Sequence, residues 1–269
     1  MSEKTAMKII DIHTHVYPDA IAQKAADSIG QFYDMPVRRN GTLDCLLREG
    51  EQISLRMICS VAVSPSRVEA INDYLSATVA AHPGQVKAFG AMHPDFPGVE
   101  RELDRIRELG FYGIKLHPDI QRFPLDSPSS VSLLKKAAER GLPALLHTGD
   151  SRFDFSGPER VARLLDQVPD LQAICAHLGG WSEWEKASRL LAGRPEVWVD
   201  TSSSLYALEP QAAADIIHCY GTDRVLFGTD YPMWDTPGEL ERFFSLPLTE
   251  EEREKILHLN AEELLELKE

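Results

Sequence analysis

Two histidines stand one residue apart at the end of an apolar segment near the start of the chain. The segment covers residues 10–15 and contains His13 and His15. Alternate side chains of a β-strand point to the same face, so the two imidazoles lie on one side, about 7 Å apart along the strand. Two imidazoles in this arrangement can bind one metal ion, but a pair of exposed or hydrogen-bonded histidines gives the same pattern.

Three more residues with metal-binding side chains stand at the ends of later apolar segments. His147 and His177 each end such a segment, and Asp230 directly follows another. In a closed barrel of parallel strands these ends meet at one mouth, where the active sites of that fold lie. One such residue alone is typical of a structural polar group, but five at strand ends favour a metal site. Imidazole and carboxylate ligands suit Zn, Mn or Fe.

Eight candidate strands, which position these residues, alternate with helical patterns along the whole chain. They are almost continuously apolar, as strands covered on both faces must be. The candidate strands are residues 8–15, 56–63, 86–93, 113–117, 143–147, 172–177, 197–201 and 224–229. Eight strand–helix units predict an α/β fold, a single-domain (β/α)8 TIM barrel over residues 1–269. An open doubly wound sheet is the alternative.

The stretch after the first candidate strand, residues 16–41, is long and irregular in pattern. It carries several aromatic side chains, among them Tyr17, Phe32 and Tyr33. A long loop that follows a barrel strand lies over the mouth of the barrel, so this segment is predicted to be a lid.

The composition excludes several kinds of partner. The chain has 28 Lys and Arg against 42 Asp and Glu, a formal net charge of −14. Nucleic-acid binding needs a basic surface, so we expect a small-molecule substrate and no nucleic acid. No apolar run approaches the length of a membrane span, so we expect no membrane partner. The four cysteines form no CxxC pair, which predicts a reducing, cytoplasmic location.

Several of these segments together resemble the amidohydrolase superfamily. The matching motifs are His13-Thr14-His15, Gly113-Ile114-Lys115-Leu116-His117-Pro118, Leu146-His147, Ala176-His177-Leu178-Gly179-Gly180 and Gly228-Thr229-Asp230-Tyr231-Pro232. The branch that they resemble is the amidohydrolase-related group that includes aminocarboxymuconate-semialdehyde decarboxylase. The similarity spans nearly the whole chain and is specific for the family, but it does not identify a substrate.

The resemblance implies a metal centre with four protein ligands. These are His13, His15, His147 and Asp230. It also implies that His177 is either the general acid/base beside one metal or a ligand of a second metal. Relatives with two metals often bridge them with a carboxylated lysine that ends the fourth strand, whereas Lys115 lies two residues before that end. We therefore expect one divalent metal, zinc first with Mn or Fe as alternatives. The resemblance also suggests a homodimer.

Lys115, His117 and Arg152 are the candidate substrate-binding residues. Lys115 and His117 alternate along one strand, so both can line the barrel cavity. An ammonium group paired with an interior acid such as Asp11 is the alternative for Lys115. Arg152, like Arg122 on the preceding loop, can clamp a carboxylate or belong to the surface.

These residues predict a metal-dependent hydrolase of a small-molecule amide, ester or lactone. The metal lowers the pKa of its bound water to about 7. Asp230 accepts the water proton, and His177 stabilises the oxyanion or acts as the acid. The alternative is metal-dependent, non-oxidative decarboxylation of a small unsaturated or aromatic carboxylate, with His177 as proton donor. The short chain favours hydrolysis. A non-catalytic metal binder is disfavoured, because a structural metal needs no open coordination position.

Overall fold

The structure, a computed structural model, describes residues 7–267 as strands that alternate with helices. Each strand is short and its side chains are almost all buried, as expected where helices cover the sheet. The strands are β1 (Ile10–His15), β2 (Leu55–Cys59), β3 (Val86–Ala88), β4 (Gly90–Ala91), β5 (Ile114–Leu116), β6 (Ala144–Leu146), β7 (Ala173–Cys175), β8 (Val197–Asp200) and β9 (Val225–Leu226).

Helices connect the strands and cover their outer faces. The α-helices are α1 (Asp19–Tyr33), α2 (Leu43–Glu49), α3 (Val68–Ala81), α4 (Val99–Glu108), α5 (Pro118–Gln121), α6 (Pro128–Ala138), α7 (Pro158–Gln167), α8 (Trp184–Leu191), α9 (Pro210–Tyr220), α10 (Thr236–Phe244), α11 (Glu250–Glu254) and α12 (Asn260–Leu264). Short 3₁₀ turns occupy Pro65–Arg67 and Thr222–Arg224, and a π-helical turn, Lys255–Leu259, joins α11 to α12. Across residues 7–267, none of the helices combines the length and apolarity needed to cross a membrane.

Every strand pair is parallel and follows chain order. One ladder runs β1–β2–β3 and the other runs from β4 to β9. β3 and β4 are two parts of one predicted strand, separated by Phe89, whose N–H donates to the Ile58 carbonyl at 3.0 Å. Gly90 then pairs with Ile114 of β5. The hydrogen-bonded sheet therefore continues from the first ladder into the second.

The first strand also pairs with the chain around the last one. The Ile12 N–H donates to the Phe227 carbonyl at 2.9 Å, and Thr14 forms a parallel bridge with Tyr231. These contacts close the sheet into a cylinder with helices outside it. The predicted (β/α)8 TIM barrel is therefore confirmed.

The predicted lid segment, residues 16–41, contains a regular helix. α1 covers 15 residues and ends where Asp34 adopts a left-handed φ of 52°, with its N–H bonded to the Gly30 carbonyl. The expectation of an irregular loop was wrong, because the buried face of α1 consists of small residues, Ala22 and Ala26. Alanines give a weak apolar periodicity even where a helix packs closely.

A glycine just after β6 tests how tightly the loops at the barrel mouth are packed. Gly149 has φ 95°, and a Cβ there would lie 2.2 Å from the Trp181 backbone N, whereas Gly141, with φ 65°, faces open space. We expect Gly149→Ala to lower the free energy of unfolding by about 3 kcal/mol, because backbone must move. Gly141→Ala should cost only about 1 kcal/mol, for the left-handed conformation. Urea unfolding measures both, and equal losses would contradict the close packing.

Candidate active site

One cavity of about 500 Å³ opens at the carboxyl ends of the barrel strands. All the predicted metal-binding and catalytic residues line it, together with two of the three predicted substrate contacts. These lining residues are His13, His15, Lys115, His117, His147, His177 and Asp230. Arg152 and Arg122 lie outside the lining. The closed barrel therefore gathers side chains that are up to 217 positions apart (13 to 230) at one place.

Three potential ligand atoms, two from the first strand and one from the loop after the last strand, converge in this cavity. His13 Nε2 lies 3.1 Å from His15 Nε2. Asp230 Oδ1 lies 3.6 Å from His13 Nε2 and 3.4 Å from His15 Nε2. The pairing of β1 with β2 shifts register between Asp11 and Thr14, within the segment that carries His13. Two imidazole nitrogens and a carboxylate oxygen this close together form a donor set suited to one divalent cation.

The backbone at two of the site residues is in an unfavourable conformation. Asp230 has φ 57° and His177 has φ 62°, values that non-glycine residues adopt at a cost of about 1–2 kcal/mol. The Asp230 N–H donates to the His13 carbonyl at 2.9 Å, which holds that conformation next to β1. Such strain is typical of functional sites, where surrounding structure enforces it.

Asp200, which was not among the predicted site residues, contacts two of the histidines. Its Oδ2 lies 2.9 Å from His13 Nδ1, and its Oδ1 accepts the His177 backbone N–H at 3.0 Å. A carboxylate on Nδ1 keeps the proton there and leaves the Nε2 lone pair of His13 facing the cavity. Asp200 is the last residue of β8, so its position at a strand end could have revealed it.

Asp11 connects β1 to the residue that precedes Asp230. Its Oδ1 accepts the N–H of Thr229 at 3.0 Å and that of His13 at 3.2 Å, and its Oδ2 accepts the Thr229 hydroxyl at 2.7 Å. Burial raises the pKa of Asp11 to about 7, although these three hydrogen bonds lower it. Lys115 has a different partner, because its Nζ lies 2.9 Å from His13 Nε2.

His147 contacts other histidines of the cavity. Its Nδ1 lies 3.0 Å from His177 Nε2, and its ring stacks on that of His117 with centroids 3.9 Å apart. His147 Nε2 is buried without a hydrogen-bond partner among the described residues, 3.7 Å from Asp119 Oδ2. The contacts of His147 are thus with His177 and His117 and not with the three converging atoms, so its role as a ligand stays a prediction.

Burial sets the protonation of the site. It lowers the pKa of His13, His147 and His177 below the usual value, so these imidazoles are neutral and each has one ring nitrogen without a proton. Burial would raise the pKa of Asp230, but the adjacent His13, His177 and His15 hold it well below its usual range. For His15, burial lowers the pKa, but Cys59 and Asp230 outweigh it and raise it to about 9.

Arg152 holds the end of α1 in place over the cavity. Its guanidinium donates to both carboxylate oxygens of Asp150 at 2.8 and 2.7 Å, and to the Phe32 carbonyl at 2.8 Å. It also lies within 5.3 Å of four ring centroids, those of Phe32, Tyr33, Phe153 and Trp181. Arg152 is thus fully engaged by protein groups. Its predicted role as a carboxylate clamp has no support from this placement.

Tyr33, at the end of α1, reaches the histidine cluster. Its hydroxyl is hydrogen-bonded to His117 Nε2 at 2.8 Å. Tyr33 was predicted only as part of the lid segment, because its partner lies 84 positions away in the chain. α1 therefore forms one wall of the cavity and contacts its polar floor. The floor is the set of buried polar lining residues His13, His15, Lys115, His117, His147 and His177, together with Asp230.

The barrel as a whole matches a family model described as amidohydrolase, over residues 10–267. This chain belongs to the amidohydrolase family. The match covers every strand of the barrel and all the lining residues named above. The family that the motifs resembled is therefore confirmed.

Two relatives of known name are similar over most of the chain. A decarboxylase called orsB, from Emericella nidulans, is 28% identical over 253 residues, which cover 73% of this chain and 75% of the relative. A gamma-resorcylate decarboxylase from Polaromonas sp. is 25% identical over 248 residues, with the same two coverages of 73% and 75%.

A solved structure shows the same fold. It is a 5-carboxyvanillate decarboxylase from Novosphingobium aromaticivorans, crystallised with manganese and 4-hydroxy-3-methoxy-5-nitrobenzoic acid. It superposes with a TM-score of 0.74 at 18% identity, over 99% of this chain and 98% of the other. At this identity the likeness concerns the fold.

The preference for hydrolysis was wrong. Both named relatives are decarboxylases, which favours the alternative reaction. Chain length misled the prediction because it does not determine the reaction: the same imidazoles and carboxylate can serve either one.

The hydrogen bonds of Arg152 to Asp150 and to the Phe32 carbonyl, here called the latch, predict that mutation of Arg152 loosens the end of α1. Arg152→Met removes the hydrogen bonds to Asp150 and to the Phe32 carbonyl, so the end of α1 should detach more often. We expect limited proteolysis between residues 30 and 42 to become at least about threefold faster, a ratio that corresponds to about 0.7 kcal/mol. Arg107→Met is the control, because Arg107 has no side-chain partner among the described residues. Equal cleavage of both variants would contradict the latch.

Proposed function

We propose that this protein is a metal-dependent decarboxylase of small aromatic carboxylates that carry a hydroxyl next to the carboxylate. The observation that carries the proposal is the convergence of His13 Nε2, His15 Nε2 and Asp230 Oδ1 at the floor of the cavity. The two decarboxylases among the relatives support this choice of reaction over hydrolysis.

The residues present fit a divalent metal. His13 is neutral and aimed by Asp200, and Asp230 is ionised, so both offer lone pairs to a cation. His13, His15 and Asp230 would hold the ion, and the family resemblance adds His147 as a fourth ligand. When bound, the ion would supply positive charge that stabilises the negative charge of the substrate. Zinc, expected from the ligand types, and manganese, present in the 5-carboxyvanillate decarboxylase, are the candidates.

The walls of the cavity suit an aromatic ring. Apolar side chains of α1, of the loop after β2 and of the loop after β9 surround the space above the floor. They include Ile21, Ile29, Phe32, Val61, Val63 and Met233. A mostly apolar pocket with a few polar groups at one end orients a ring and limits the access of water to it.

Asp230 is placed to move the proton that the reaction needs. It is ionised at rest, and its side chain is 16% exposed, towards the cavity. The phenolic hydroxyl of the substrate gives its proton to Asp230, which then passes it to the ring carbon that bears the carboxylate. The carbon–carbon bond breaks, CO2 leaves, and the electron pair restores the aromatic ring as a phenolate. Water supplies one proton to that phenolate.

His177 is the second catalytic candidate. Its Nδ1 lies 2.9 Å from the Ser202 hydroxyl, and its Nε2 lies 3.0 Å from His147 Nδ1. Both ring nitrogens therefore have protein partners, and His177 is only 2% exposed. Asp230 Oδ2 also accepts a hydrogen bond, from the Ser203 hydroxyl at 2.6 Å, but its side chain is 16% exposed towards the cavity. We assign carbon protonation to Asp230 and assign to His177 the positioning of His147.

Metal binding tests the donor set directly. We expect purified protein to bind about one Mn²⁺ or Zn²⁺ per chain and His15→Ala to weaken binding by at least about 10-fold, because one ligand is lost. His218→Ala, an exposed histidine on α9, is the control. Since His15 holds a proton below about pH 9, which a metal must displace, affinity should rise with pH up to that value. Calorimetry measures the metal affinity at each pH, and a pH-independent affinity would contradict the displacement of a His15 proton by the metal.

Release of CO2 tests the reaction. Metal-loaded protein should release CO2 from gamma-resorcylate or from 5-carboxyvanillate. Asp230→Asn should lower kcat by about 10²–10⁴, because no group then carries the proton. His177→Asn should lower it less. Asp215→Asn, on the exposed face of α9, should leave it unchanged. Absence of CO2 from both substrates with metal bound, or an active Asp230→Asn variant, would contradict the proposal.

A further inference from the structure

Two cationic side chains line the cavity away from its metal-binding floor. Lys24 lies on α1, and Arg67 lies in the 3₁₀ turn that follows β2. Both residues are exposed, so they stand where the cavity meets solvent. Among the described residues, neither side chain forms an ion pair or a hydrogen bond. The mouth of the cavity therefore carries two cations that no carboxylate of residues 7–267 neutralises.

Acidic groups pair with cations elsewhere on the surface. Arg140 bonds to Asp104 at 2.7 Å, Arg194 to Asp166 at 2.7 Å, and Lys136 to Glu100 at 2.5 Å. The chain has a net charge of −14, so carboxylates are available over most of its surface. Cations without a partner beside a cavity are available to a ligand.

The charges of the cavity lie at two ends. Asp230 is the one carboxylate among the described lining residues, and it lies on the floor with Lys115 and the histidines. Between the floor and the mouth the lining is largely apolar.

We propose that the substrate has a second anionic group, which Lys24 and Arg67 bind at the mouth while the reacting carboxylate lies on the floor. The preferred substrate class is therefore an aromatic dicarboxylate, and this inference rests on the proposed function. A guanidinium group matches a carboxylate in shape and can donate two parallel hydrogen bonds. A dianion also needs local positive charge, because the net negative charge of the protein repels it at long range.

The test compares two substrates that differ in charge. Gamma-resorcylate has one carboxylate and 5-carboxyvanillate has two. Lys24→Met and Arg67→Met should each raise KM for 5-carboxyvanillate about fivefold and leave kcat unchanged, as expected for an accessible ion pair. KM for gamma-resorcylate should change less than about twofold. Added salt should raise KM for the dianion in the unmodified protein and much less in the double variant.

Matched controls separate a local effect from a change in net charge. Lys135→Met and Arg107→Met remove one exposed cation each, on α6 and α4, away from the cavity. They should leave KM for both substrates unchanged. If the controls raise KM for the dianion as much as the cavity variants do, the effect is one of overall charge and the inference is overturned.

The failure of this inference and that of the proposed function give different results. If CO2 is released from both substrates and the double variant shows the same KM for 5-carboxyvanillate as the unmodified protein, the dianion site is wrong and the decarboxylase stands. If neither substrate releases CO2, the decarboxylase is wrong. Calorimetric titration of the metal-loaded protein with 5-carboxyvanillate then decides the site: weaker binding by the double variant supports it, and equal binding overturns it.

Discussion

The site depends on the closure of the barrel between its first and last strands. The Ile12 N–H bonds to the Phe227 carbonyl, and the Asp230 N–H bonds to the His13 carbonyl, both at 2.9 Å. Asp11 adds a carboxylate that binds the residue before Asp230. These contacts place the candidate ligand atoms His13 Nε2 and Asp230 Oδ1, from opposite ends of the chain, within 3.6 Å of one another. We call these contacts between the first strand and the chain around the last strand the seam. If the seam opened, His13 and His15 would remain together but Asp230 would move away from them.

Burial determines the chemistry of the groups that the seam brings together. Because charged imidazoles are unfavourable inside the barrel, His13 and His177 are neutral, and only their contacts with Asp200 and Ser202 set which nitrogen faces the cavity. His15, whose pKa is raised to about 9, lies 3.4 Å from Asp230 Oδ1 and stabilises the ionised form of that carboxylate. The protein thus has a carboxylate and neutral imidazoles in one site, which is what a metal ligand set and a proton carrier both require.

The polar floor does not distinguish hydrolysis from decarboxylation. Imidazoles and a carboxylate around a metal can support either reaction, so the names of the relatives and the shape of the cavity have to decide. α1 is central to that shape, because it forms a wall, reaches His117 through Tyr33, and is fastened by Arg152. Lys24 of this helix and Arg67 of the turn after β2 line the same cavity.

The sequence by itself determined the barrel, the family and most residues of the cavity floor. Strand periodicity is local, and residues that follow apolar strands meet at one rim in any parallel barrel, so His13, His15, His147, His177 and Asp230 could be selected without coordinates. Only the tertiary structure decided the partners of these groups, among them Asp200 on His13 and Phe32 on Arg152. Those contacts join residues 187 and 120 positions apart, and no local spacing encodes them, because they depend on how helices and loops pack around the closed sheet.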